Sequence, residues 1–199
     1  MKKILVITLA ILMCFGCVAC NAEKQISHGT VENNVYTSEF TGITFTAPSD
    51  WTYLSEDEIA ELMNTTADAI TNDKFAEAVK NLNNFTDMMA TDPKTGTNVN
   101  ILYENLVLSG NTKITEDEYL DVSIEQMKNA MAGINVELVG SEDATLSGAN
   151  YLRAELKTTT SGISMSQYLY MRKVNNYMVV VTVTITSGYE LADLEAMFS

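Results

Sequence analysis

A chain of 199 residues with 26 acidic against 12 basic side chains, net charge −14, is repelled by nucleic acid and by anionic lipid headgroups. Neither is expected as a partner of its protein surface. All three cysteines fall at positions 14, 17 and 20, and the chain has a single histidine, His28. This excludes a disulfide-stapled fold and any Cys/His metal cluster, while the length suits one domain with a sizeable core.

At the N-terminus, Lys2 and Lys3 precede an uncharged apolar run, Ile4 to Phe15, too short for a membrane span of roughly 20 residues and of the length of a signal-peptide core. Small and modest side chains follow, Gly16-Cys17-Val18-Ala19-Cys20, before the chain turns polar at Asn21. This stretch resembles the bacterial lipoprotein signal, its box reading Cys17-Val18-Ala19-Cys20. The resemblance implies cleavage after Ala19, diacylglycerol on the Cys20 thiol, and a domain held by membrane lipid on the extracytoplasmic face of the cell membrane. Two acyl chains, at about 0.8 kcal/mol per buried methylene, suffice for stable anchoring. The box has Cys17 where Leu is usual, so Cys17, preceded by Cys14-Phe15-Gly16, stands as the alternative attachment site. The competing reading of the leader is an unlipidated secreted protein cut at the same place.

The expected organisation is therefore a signal peptide over 1–19, a tether over 20–34 beginning with lipidated Cys20, and one domain over 35–199. "NAEKQISHGTVENN", Asn21 to Asn34, lacks apolar periodicity and reads as a leash, with His28 in it and not in a site. "VYTSEFTGITFTAP" holds two extended runs about Gly42 and predicts a hairpin. Pro48 ends it, and "SEDEIAELM" begins a helix in which Ser55 and Glu58 form a capping box. Further short helical pieces are expected to about Asn81.

"NFTDMMATD" and "TNVNILYENL" predict a second hairpin, with Val99, Ile101 and Tyr103 on one face. "TEDEYLDVSIEQMKNAMAG" repeats the capping device with Thr115 and Glu118, carries Leu120, Ile124, Met127 and Met131 at helical spacing, and offers Gly133 as a C-cap. Four strands follow, separated by turn signals at Ser147-Gly148, Ser161-Gly162 and Asn175-Asn176. The last, "YMVVVTVTIT", is apolar on both faces and so predicts a central strand. "YELADLEAMFS" places Leu191, Leu194 and Phe198 on one face of a closing helix.

These elements define an α+β class, a largely antiparallel sheet with helices packed on it. "GITFTAPSDW", Gly42 to Trp51, followed by a helix, hairpins and a terminal strand-helix pair, resembles the PsbP/DcrB-type α/β/α sandwich. That resemblance implies a non-catalytic binding or assembly module with an unknown protein or small-molecule partner. Trp51, the single tryptophan, reads first as a core anchor. The sharper reading makes it an aromatic platform in a ligand cleft with Asp50 and Tyr53. The acidic triplets Glu56-Asp57-Glu58 and Glu116-Asp117-Glu118 invite a calcium reading, but capping chemistry accounts for both, and no metal or other cofactor is expected. No G-x-S-x-G elbow or phosphate loop is present. The enzymatic alternative is a cell-envelope hydrolase using paired carboxylates.

Overall fold

The computed structural model describes residues 24–62, 72–130, 135–160 and 163–199. The leader with its Cys17–Cys20 box, the expected helical stretch 63–71, Met131 and the Gly133 cap, and the Ser161-Gly162 turn lie outside them.

A three-stranded sheet comes first, β1 (Thr30–Glu32), β2 (Val35–Thr37) and β3 (Thr44–Thr46), antiparallel in that order. Asn33 and Asn34 both take positive φ between β1 and β2, the conformation that a two-residue hairpin turn requires and that Asn tolerates. The short strand β4 (Thr52–Tyr53) leads into α1 (Glu56–Leu62). Beyond the undescribed residues come α2 (Asn72–Ala78) and a 3-10 turn (Val79–Asn81).

Then follow β5 (Asn84–Thr91), β6 (Asn98–Asn105), α3 (Glu116–Ala130), β7 (Asn135–Leu146), β8 (Ala149–Thr160), β9 (Ile163–Val174), β10 (Tyr177–Ile185) and α4 (Leu191–Glu195). The larger sheet has the order β4-β5-β6-β10-β9-β8-β7, antiparallel at every pairing. The class is α+β, as the pattern of elements predicts.

Both capping boxes form. The Ser55 N–H donates to Glu58 Oε2 at 2.8 Å and the Glu58 N–H returns to Ser55 Oγ at 3.3 Å. Thr115 and Glu118 do the same at 3.0 and 3.3 Å, so each acidic triplet serves the first turn of a helix. Among the described residues no group of three or more metal-ligating side chains converges.

Strand β10 sits mid-sheet and separates two cores, as its two-sided apolar pattern requires. Val179, Val181 and Val183 join the larger core with Tyr36, Phe45, Phe75, Phe85 and Leu194, while Met178 and Val180 face Leu120 and Ile124 of α3. The small sheet, α1, α2 and α4 thus cover one face, and α3 covers part of the other.

Two expectations are corrected. The tether does not extend to Asn34: Ile26 is buried and β1 pairs with β2 along its length, so the chain is part of the folded unit from its first described residues. Phe198 does not continue the closing helix. The chain leaves α4 and Phe198 forms an isolated antiparallel bridge with Phe45, their rings 4.9 Å apart. The edge of β3 is satisfied there by Thr46 N–H to Met197 O at 2.8 Å and Ser199 N–H to Thr44 O at 3.1 Å.

Candidate functional site

The site begins with an irregularity in β5. Its pairing with β6 slips between Thr86 and Met88, leaving Asp87 as the extra residue of a β-bulge. A bulge re-aims the side chains around it. Phe85, Asp87, Met88 and Ala90 are all buried, which strict alternation would forbid for the adjacent pair Asp87 and Met88. The bulge thus turns a carboxylate into the larger core.

A carboxylate out of water costs several kcal/mol unless its lone pairs are filled, and those of Asp87 are. The Gly29 N–H lies 3.1 Å from Oδ1 and 3.2 Å from Oδ2. The Tyr103 hydroxyl donates to Oδ2 at 2.7 Å, the Tyr36 hydroxyl donates to the same oxygen, and His28 Nδ1 sits 3.1 Å from Oδ1. Burial first, and then the Asp87 charge, hold the Tyr36 and Tyr103 hydroxyls protonated well above the usual tyrosine range. Gly29 is required by close approach. A Cβ built on it would fall inside the van der Waals envelope of the Tyr36 ring.

His28 packs against Phe75 and Phe85, ring centroids at 5.3 and 5.6 Å. Its Nδ1 faces two acceptors, Gly29 O at 2.6 Å and Asp87 Oδ1, so Nδ1 carries a proton. Nε2 is buried and has no hydrogen-bond partner among the described residues.

Above this network lies a cavity of about 400 Å³, walled by the stretch Gly29 to Glu32 and by Tyr53 to Glu56, which runs from the end of β4 into the first residue of α1, with His28, Ile59, Asp87 and Met88 completing it. Side chains alternate along a strand, so four consecutive lining residues mean that β1 turns its backbone edge to the cavity. That edge is unpaired, β1 being the outer strand of its sheet.

An Asp–His pair is the orienting half of a hydrolytic triad, but a nucleophile must be hydrogen-bonded to the imidazole. Here no hydroxyl bonds to Nε2, and Ser55, which lines the cavity, commits its Oγ to Glu58 Oε2 at 2.8 Å.

Of the residues read from the sequence as a ligand cleft, only Tyr53 lines this cavity. Its hydroxyl donates to Asn34 O at 3.2 Å, fastening the β1–β2 turn. Trp51 is buried in the larger core against Phe45 and Tyr189, and its Nε1–H donates to the Tyr189 hydroxyl at 2.9 Å. Asp50 is at the surface in an ion pair with Lys94 at 2.7 Å. His28 and Asp87 escaped sequence reasoning: the first stood in a polar stretch, and the second needs the bulge, whose only trace is the broken alternation of "NFTDMMATD".

No protein-family model matches the chain, and no curated protein matches it either. Among solved structures it is similar to the solution structure of cyanobacterial PsbP (CyanoP) from Synechocystis sp. PCC 6803, at 13% identity over 87% of this chain and 93% of that chain, with a TM-score of 0.48. At that score the α+β class rests on the sheet order and helix placement themselves, not on the likeness.

Proposed function

We propose that this protein is a lipoprotein anchored through Cys20 on the extracytoplasmic face of the cell membrane, and that its domain is a non-catalytic binding module whose ligand occupies the cavity above Asp87. The cavity itself carries the second half of this reading. It is concave and of ligand size, and its base is fixed by a carboxylate with every acceptor site engaged, which preorganises the wall without leaving a reactive group on it. The leader and its box support the first half, and no helix among the described residues is long and apolar enough to cross a membrane. Glu32 and Glu56 share the cavity rim, but both are exposed. A paired-carboxylate hydrolase keeps one carboxyl protonated by burying it, so binding is the better reading of this wall.

The anchor is tested by Cys20→Ala. Expected are loss of acylation and release from the membrane fraction. Acylation persisting in that variant but lost in Cys17→Ala would move the anchor to Cys17, and persistence in the double variant would remove it.

A further inference from the structure

We infer that the turn after β6 is a membrane contact, with Val107 and Leu108 resting in the headgroup–acyl boundary of the bilayer, a reading that rests on the Cys20 anchor proposed above. Val107 is 56% exposed and Leu108 46%, an adjacent pair of large apolar side chains, while Leu106 before them is fully buried. Exposed apolar residues are common on protein surfaces, so the pair alone decides nothing. Two further features of the turn do.

The first is its backbone. A loop entering apolar surroundings must bring its own hydrogen-bond partners, because lipid offers none. Six consecutive N–H groups here have theirs. Leu106 N–H donates to Asn176 O at 2.9 Å, and the Val107 and Leu108 N–H groups donate to Asn105 Oδ1 at 3.1 and 3.4 Å. Ser109 N–H returns to Asn105 O, Gly110 N–H to Val107 O and Asn111 N–H to Leu106 O, at 3.2, 3.2 and 2.9 Å. The turn can enter the boundary without stripping water from any N–H between Leu106 and Asn111.

The second is its position. Lys24 O accepts from Asn175 Nδ2 at 2.8 Å, and the neighbouring Asn176 holds Leu106. The chain therefore enters the fold at the end of the sheet where the turn stands, beside Tyr177, whose partners are Asn105 and Val174. Three residues, Asn21 to Glu23, separate Cys20 from Lys24, so a lipid on Cys20 brings this end nearest the bilayer. The other exposed apolar pair, Leu138 and Val139, supplies the contrast. Leu138 shares a rung with Thr184 through Leu156 and Gln167, near the opposite end of β10. The chain's acidic excess opposes adsorption from solution, and Glu118 and Asp121 line the cleft beside the turn. Tethering replaces that encounter with a local one at high effective concentration.

Cys14 and Cys17 leave with the leader and the lipid consumes the Cys20 thiol, so a cysteine placed in the mature protein is its one free thiol. Leu108→Cys and Val139→Cys, both at exposed positions, are labelled with bimane in the acylated protein. Each is reconstituted into phosphatidylcholine vesicles with and without doxyl-labelled phosphatidylcholine as quencher. The label at position 108 is expected to shift to the blue and to be quenched by the doxyl lipid, and the label at 139 to keep its emission in water. An acylated protein that floats with the vesicles while its 108 label stays in water overturns the contact and leaves the anchor standing. Equal quenching at 108 and 139 also overturns it, since no one end would then face the lipid. Absence of acyl mass on the mature protein removes the anchor, and the contact falls with it.

Discussion

The Tyr103 hydroxyl on β6 donates to Asp87 Oδ2 on β5 across 2.7 Å, beside the bulge where the two strands slip register. Together with the Tyr36 hydroxyl and the Gly29 N–H, it turns a desolvated charge into the junction of β2, β5, β6 and the N-terminal segment. Asp87→Ala strands those donors in the core and should cost about 3 kcal/mol or more of unfolding free energy. Asp87→Asn, which keeps the shape but sets an amide NH₂ against other donors, should cost less than the Ala variant. Denaturant unfolding of the two variants checks the order.

Gly29→Ala tests the closeness of the N-terminal segment to the core. The new methyl meets the Tyr36 ring, and overpacking of this kind costs typically about 1–3 kcal/mol. Amide hydrogen exchange should speed up most over residues 28–32 and around Asp87, leaving β8 and β9 near their original protection.

Trp51 provides an internal comparison of packing with hydrogen bonding. Trp51→Phe keeps most of the ring area but loses the donor to Tyr189, itself 3.2 Å from Asp92 Oδ2, and should cost about 1 kcal/mol or slightly more. Trp51→Ala should cost about 3–5 kcal/mol. Equal losses in the two variants would place the weight on the hydrogen bond.

Stability should decline on both sides of neutrality. The Lys94 N–H chiefly, opposed by burial and aided by the Thr95 and Tyr189 hydroxyls, holds the Asp92 carboxyl below its ordinary range. A depressed carboxyl stabilises the fold above the unfolded value near pH 4, and that contribution is lost as pH falls through the folded value. At the other end, Tyr36 and Tyr103 are raised. Their contribution is complete below about pH 10 and declines as pH rises toward the folded values. Melting temperature against pH should show both limbs. Asp92→Asn should flatten only the acid one, and tyrosinate absorbance from the buried pair should appear together with unfolding.

The sequence made the fold legible wherever a local signal and a long-range need coincided. Ser55/Glu58 and Thr115/Glu118 announce helix starts because capping is settled within four residues, and the two-sided apolar run of β10 announces a central strand because burial on both faces leaves no polar alternation. What stayed hidden depends on partners far along the chain. β1 is three residues long with every one exposed, so its pattern carries no burial, and its one clue is the Asn33-Asn34 pair that suits a tight turn. Asp87 is 58 residues from the glycine it holds. Trp51, Asp50 and Tyr53 are close in sequence yet reach the larger core, a surface ion pair and the cavity wall, destinations set by partners far along the chain such as Tyr189 and Lys94.

The clasp on Gly29 also sets a distance. If the lipid is on Cys20, four Cα–Cα steps separate it from Lys24, where the described fold begins, a reach of at most about 15 Å. A leash running to Asn34 would let the domain sample a wide hemisphere above the bilayer. Shortened to a few residues, it would hold Lys24 within that reach of the headgroup layer, so the domain would turn about a pivot at the membrane surface and not range through the open space beyond it.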